Sequence, residues 1–290
     1  MPPLEARGNR SLQMNFEHQI KALIFYHLEE HTSGRHLLQV LGEDDFAREV
    51  IAPPEGIKKS SFFEAVNSRG LEQLTYVFQQ LQAKAAKILP KEHAELGNLV
   101  TIDGSLIDAV LSMHWADYRN GCKEAKVRLG FDINQSIPSK IFFTDGKADE
   151  LPFVRQTLLP GQTGVMDRYY QCRKDFDLSA EEIATIYKLR WNIEIFFGWW
   201  KHHLKVYHLI ARSEQGLMAQ ILGGLITYLL LAIYCHKHHQ EKVSIKRIRE
   251  LRIKIQNEAR NLEVDLPTPA SQQTGLHNLK EQQWRSFAIS

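Results

Sequence analysis

The period of the hydrophobic pattern changes at Asn98, and this switch constrains the fold more than any other feature of the chain. From residue 16 to 96 the apolar residues recur at helix spacing: Phe16, Ile20, Leu23, Ile24 and Leu28, then Leu37, Leu38 and Leu41. Gly34, Gly42 and the Pro53-Pro54 pair interrupt the pattern. A compact helical domain is predicted there. Within it, GIKKSSFFEAVNSRG contains Ser61 and Glu64 at capping-box spacing. That box would set Lys58 and Lys59 just ahead of a helix amino terminus, where phosphate is favoured. Basic residues before a helix also serve as ordinary surface, and both readings stand.

After Asn98 the text alternates. LVTIDGSLIDAV is a β-branched run, and EAKVRLGFDI sets Lys126, Arg128 and Asp132 against Val127, Leu129, Phe131 and Ile133, the pattern of a half-buried strand. SKIFFTDGK predicts a third strand closed by an Asp-Gly turn, ADELPFVRQTLL a helix, and TGVMDRYY a fourth short strand ending on Asp167, as the first ends on Asp103. Three antiparallel strands, a helix and a strand are the opening order of a ribonuclease-H-like core. The expected class is therefore α/β, with a helical amino-terminal domain (1–97), the core (98–235), and a basic helix and tail (236–290).

From Leu178 a long helix is predicted to about Leu204, opened by a Ser179–Glu182 capping box and free of proline. A second, Leu217 to Tyr234, is apolar all round and long enough to span a membrane. Gln220, Gly223-Gly224 and Thr227 interrupt it and no second span accompanies it, so it reads as a buried core helix. The polar start, Met1 to Leu12, lacks the order of a signal peptide. Cys122, Cys172 and Cys235 form no CxxC pair and leave an odd number, which argues against a disulfide framework or a structural zinc ribbon and fits a reducing cytoplasm. His202-His203 and the Cys235-His236-x-His238-His239 run match no zinc spacing.

Net charge is only +2, so total charge announces no polyanionic partner. Its distribution is more telling, because Lys242, Lys246, Arg247, Arg249, Arg252 and Lys254 crowd one stretch. That stretch suits a solvated helix face or a DNA-backbone contact equally well.

On the long helix, Tyr187, Arg190, Glu194 and Lys201 follow one another at spacings of three, four and seven residues. At about 100° per residue all four fall within a stripe about 60° wide. A carboxylate that can hold a metal, set among groups that can hold phosphates, suits metal-assisted phosphoryl transfer. The same spacing also serves a row of exposed salt bridges. Asp103 and Asp167, at the ends of strands expected to lie side by side, supply two more carboxylates. In the aromatic run Phe196, Phe197, Trp199 and Trp200, most members are expected in the core, with one tryptophan available to stack on bases.

These residues resemble the DDE transposases of the insertion-sequence-four family, whose Tyr-(2)-Arg-(3)-Glu-(6)-Lys signature Tyr187, Arg190, Glu194 and Lys201 reproduce. TIDGSLIDA, LGFDIN, IPSKIFFTDGK, GQTGVMDR and IEIFFGWWKHHLK are similar too, so the likeness spans about residues 16 to 235. The resemblance implies that Asp103, Asp167 and Glu194 bind Mg²⁺, with Mn²⁺ as a substitute, and that Tyr187, Arg190 and Lys201 hold phosphates of the transposon end. It implies hydrolysis of the 3′ strand at the element end, then attack of that 3′-hydroxyl on another phosphodiester. It also implies a homodimer on paired DNA ends, with the basic carboxy-terminal helix as a candidate contact, and no membrane. Family members carry a β-rich insertion between the second aspartate and the glutamate. Here DRYYQCRK runs straight into DFDLSAEEI, with the join near residues 171–174, so the core is expected to be truncated and catalysis weakened or absent. The readings are an active transposase, an inactive DNA-binding derivative that occupies element ends or inhibits a full-length copy, and a simple metal-dependent nuclease.

Overall fold

The computed structural model describes residues 1–2, 12–108, 114, 124–145, 151–166 and 178–264. Asp167, the 171–174 join and the tail from Thr268 lie outside the described residues. The chain divides into two compact units, residues 1–81 with 203–290, and residues 82–202.

The first unit is helical. It holds α1 (Phe16–Leu28), α2 (Gly34–Glu43), a π-helical turn at Ala47–Ile51, α3 (Lys59–Ser68) and most of α4 (Leu71–Ile88). Asn15 and Ser33 cap α1 and α2 by accepting the His18 and His36 amides, which settles donors that no helix can satisfy internally. The carboxy-terminal helix α8 (Glu214–His239), capped by Ser213, packs against α1 and α3 and so groups with the amino-terminal helices. Gly223 permits the close approach, since a Cβ there would stand 3.1 Å from that of Leu23. Among the described residues α8 is long and apolar enough to cross a membrane, yet 83% of its most apolar window is buried within the protein. The core-helix reading accounts for that burial.

The capping box expected at Ser61 and Glu64 is not formed. Helix α3 starts earlier, with Lys58 at the cap and no side-chain hydrogen bond there. The burial of Phe62, Ala65 and Val66 sets its phase. Ser61 instead donates to Gln13 Oε1 at 2.7 Å, and Glu64 pairs with Arg69 at 3.1 Å. Lys58 and Lys59 are exposed.

The second unit is a mixed sheet between helices. Strands β1 (Asn98–Asp108), β2 (Glu124–Asp132), β3 (Ile137–Asp145) and β4 (Gln162–Val165) lie in the order β3-β2-β1-β4. β1–β2 and β2–β3 are antiparallel, and β4 joins β1 in parallel after the short crossover helix α5 (Leu151–Thr157). Asn134 anchors the entry to β1: its Oδ1 accepts the Leu99 amide at 2.7 Å, and its Nδ2 donates to the carbonyls of Glu92, His93 and Gly97.

Both faces of the sheet are covered, where alternation alone predicts one. Leu99, Ile133 and Val165 cluster with Ile186 on one face, while Val100 and Ile102 meet Val154 of α5 on the other. Arg128, expected on a solvent face, is therefore buried, with its guanidinium 4.5 Å from the centre of the Phe153 ring.

The helix expected to run unbroken from 178 to 204 is two: α6 (Ala180–Leu189) and α7 (Trp191–His203). At the break, Arg190 N–H donates to the Tyr187 carbonyl and Ile193 N–H to the Arg190 carbonyl, tight i,i+3 bonds of the 3₁₀ type. The capping box at Ser179 and Glu182 is fully formed. A last helix, α9 (Ile245–Val264), carries the basic stretch.

Candidate active site

Asp103 does not end its strand. β1 continues to Asp108, and Asp103 sits in mid-strand opposite Leu129. Strand alternation puts Asp103 on the face of Leu99 and Thr101, and the partner of Thr101 is Phe131. The Phe131 ring lies 5.0 Å from that of Phe196 on α7, so α7 covers the face on which Asp103 stands. Asp103 is partly open to solvent, and its Oδ1 accepts the Gly104 amide at 2.8 Å.

Helix α7 is seated by its apolar residues. Ile193 and Trp200 are fully buried, and Trp200 stacks on Phe196 with ring centres 6.1 Å apart at 17°. Trp199 is only partly buried, so Trp200 is the core member of the pair. Further along, Lys201 Nζ donates to the Leu106 carbonyl at 2.9 Å, which ties this helix to β1 three residues beyond Asp103. Lys201 thus serves as a strap between α7 and β1.

Tyr187, Arg190 and Glu194 are brought together around the helix break. An Nη of Arg190 contacts Glu194 Oε1 at 2.7 Å, and the guanidinium carbon lies 5.8 Å from the centre of the Tyr187 ring. The ion pair is partial in its burial: the Arg190 side chain is 12% exposed and that of Glu194 33%. Such a pair is oriented by its neighbours yet still reachable from solvent. The stripe read from the sequence survives the break because one tightened turn changes the angular phase little.

One neighbour went unremarked in the sequence. Trp191, 57% exposed, lies 6.0 Å from the same guanidinium, and with Ile183, Tyr187 and Ile195 it forms an exposed apolar row at four-residue spacing. The i,i+4 recurrence was the available signal, but aromatic residues on a helix default to the core.

Asp103 and Glu194 supply hard oxygen donors, the kind that magnesium and manganese take. Both are open enough to exchange water for a cation. Among the described residues no three His, Cys, Asp or Glu side chains gather as a metal set, and the third expected donor, Asp167, lies outside them.

Residues 168–230 match the family model described as the Transposase DDE domain, a stretch that contains Tyr187, Arg190, Glu194 and Lys201. The chain is 37% identical over 78 residues to a protein of Geobacillus stearothermophilus named as a transposase for insertion sequence element IS5377, covering 27% of this chain and 21% of that one. It is 45% identical over 56 residues to a Synechocystis protein named as a transposase for element IS4SA, covering 19% and 17%. A Sinorhizobium fredii protein named as transposase y4zB is 31% identical over 93 residues, covering 32% and 26%. The chain therefore spans between 17% and 26% of the length of the curated relatives it matches. No solved structure matches the chain.

Proposed function

We propose that this chain is a DNA transposase of the DDE type, in which Asp103, Asp167 and Glu194 hold magnesium, or manganese in its place, on a ribonuclease-H-like core. The observation that carries the reading is the Tyr187–Arg190–Glu194 cluster on a helix pair that covers the Asp103 face of the sheet. Support for the core comes from the strand order β3-β2-β1-β4 with β4 parallel to β1 after a helix. Further support comes from the family match and from the names of the relatives.

A divalent cation at these carboxylates lowers the pKa of an attacking water or 3′-hydroxyl and draws charge from the leaving oxygen. The chain's own residues do the rest. Arg190 holds the Glu194 carboxylate in place, and its other N–H groups, with the Tyr187 hydroxyl and the Lys201 ammonium, donate to phosphate oxygens of the element end. Lys58 and Lys59, exposed at the start of α3, contact the DNA backbone in the amino-terminal unit. The reaction is hydrolysis of the 3′ strand followed by attack of that 3′-hydroxyl on a second phosphodiester, carried out in the bacterial cytoplasm by a homodimer on paired ends. A second reading, a DNA-binding derivative without catalysis, is favoured by the short connection between Asp167 and Glu194, which leaves no room for a β-rich insertion.

The test is incubation of the purified chain and its Glu194→Ala variant with labelled DNA bearing the borders of its coding element, with and without Mg²⁺ or Mn²⁺, read on a denaturing gel. Metal-dependent 3′ cleavage and joining, lost in the variant, is the expected result. Binding by both forms without cleavage moves the assignment to the second reading. An absence of salt-dependent DNA binding refutes both.

A further inference from the structure

The basic stretch that the sequence left open between a solvated face and a DNA contact becomes helix α9, and the structure sorts its charges. Residues 241–254 hold six cations and two acids. Both acids are taken up by one arginine: Arg247 bonds Glu241 through two nitrogens at 2.7 Å each and Glu250 through a third at 2.7 Å. Arg247 is largely covered, at 18% exposure. Arg252, equally covered, bonds Glu30 at 3.0 Å, and Ile248 and Leu251 are buried. These four residues form the inner face and fasten the helix to its own unit.

The outer face is cationic. Lys246 is 74% exposed, and Arg249 and Lys254 are also exposed. At about 100° per residue, Arg249 lies about 60° to one side of Lys246 and Lys254 about 80° to the other. Glu250 lies within that arc, held by Arg247 and at 4.0 Å from Lys246, and the next acid along the chain is Glu258, one turn beyond Lys254. From Lys246 to Lys254 the rise is about 12 Å, close to the width of the B-DNA major groove.

The arrangement is poor for the helix itself. The first turn contains no acid, while Lys246 and Arg247 stand at the positive end of the helix dipole. Lys246 and Arg249, and Arg249 and Arg252, are like charges at i,i+3. A stretch shaped only for solvation would carry acids at these first positions. An anionic partner along the outer face turns each of these repulsions into an attraction.

We infer that the outer face of α9, carried by Lys246, Arg249 and Lys254, is a second nucleic-acid contact of this chain, one that grips phosphates without reading sequence. The inference rests on the proposal that the chain acts on DNA, and it adds a surface outside the stretch matched by the family model. Among the described residues of α9 the exposed large apolar side chains are Ile245 and Ile253, fewer than insertion into a lipid surface asks for.

The test uses the full chain and a labelled duplex of unrelated sequence, with affinity followed by fluorescence anisotropy between about 50 and 200 mM salt, a range set by the counterion-release effect. The variant is Lys246→Gln/Arg249→Gln/Lys254→Gln. A charge control, Lys87→Gln/Lys91→Gln, removes two exposed cations elsewhere. The expected result is a salt slope shallower by about 0.9 for each phosphate that the variant no longer grips, with an affinity loss of roughly tenfold or more at the low-salt end. The control keeps the wild-type slope, and the triple variant keeps or raises the thermal midpoint because crowded like charges have been removed. Unchanged slope in the triple variant, or an equal change in the control, overturns the α9 surface while leaving the transposase reading intact. Binding to phosphatidylserine vesicles that falls in the variant while duplex binding does not also overturns it, in favour of a membrane partner. Failure of the wild-type chain to bind any duplex overturns the transposase reading and this one with it.

Discussion

Acidification from pH 7 to 5 is expected to cost the helical unit about 2 kcal/mol through His27 alone. His27 is fully buried between the carbonyls of Leu204, 2.5 Å from Nδ1, and Gln220, 3.0 Å from Nε2. Burial lowers its pKa from 6.5 to about 4, against the pull of both carbonyls, which favour the imidazolium. Because the folded pKa is depressed, the ring is neutral in both states above pH 6.5. As pH falls, the unfolded chain takes up the proton first, and stability is lost progressively between pH 6.5 and 4. That difference in proton affinity corresponds to about 3.4 kcal/mol at the acid end, of which about 2 is spent by pH 5. The assay is urea unfolding of the wild-type chain and His27→Gln at pH 7, 6 and 5. Glutamine keeps a donor for one carbonyl and does not titrate. The neutral imidazole has a single N–H and satisfies one carbonyl, as the glutamine does, and the variant's loss between pH 7 and 5 is expected to be about 2 kcal/mol smaller. His31 shifts in the same direction, to about 4, through burial and the nearby His36 and Arg252, so some slope survives in the variant. Equal slopes in the two proteins refute the claim that His27 is held neutral by its surroundings.

The two tryptophans of α7 should respond in opposite ways. Trp200→Ala empties a fully buried site and removes the Phe196 stack, a loss of about 3–5 kcal/mol in chemical unfolding; Trp191→Ala, at an exposed position, is expected to stay within about 0.5 kcal/mol. Gln220→Leu tests the clamp on residues 206–210: it leaves the buried Ile210 amide without its acceptor and takes a donor from the Val206 and His208 carbonyls. A destabilisation of about 2–4 kcal/mol is expected by the same unfolding assay. A change below about 0.5 kcal/mol would show that solvent replaces Gln220.

The legible parts of the fold were those fixed by local pattern. A β-branched run, the alternation of EAKVRLGFDI and short apolar runs bounded by turn residues located the four described strands, and Ser179 with Glu182 marked a helix start, because these signals act within a few residues. The Ser61–Glu64 pair misled for the same reason. It satisfies the spacing, but Phe62, Ala65 and Val66 must face the unit's interior, and that requirement moves the helix start to Lys59. Arg128 and Asp103 show the other limit. Whether a strand residue meets a second layer depends on where α5 and α7 return, and no window around residue 103 or 128 contains that information. The angular stripe of Tyr187, Arg190 and Glu194 was legible because helical phase is local; the tie from Lys201 to Leu106, across nearly a hundred residues, was not.

The break at Arg190 joins these observations. Helix α6 seats Ile186 among Leu99, Ile133 and Val165, and α7 seats Ile193, Phe196 and Trp200 beside Phe131 on the same face of the sheet. The residue at the turn is also the one whose side chain holds Glu194 and lies near the rings of Tyr187 and Trp191. Apolar burial therefore sets the position of the charged cluster, and an ion pair still partly reached by solvent, at 12% and 33% exposure, adds little to its own placement. On this argument, substitutions of Tyr187, Arg190 and Glu194 are expected to have small effects on the unfolding free energy, and under the proposed function to lower DNA cleavage, whereas substitutions of Ile193 or Trp200 are expected to lose both together.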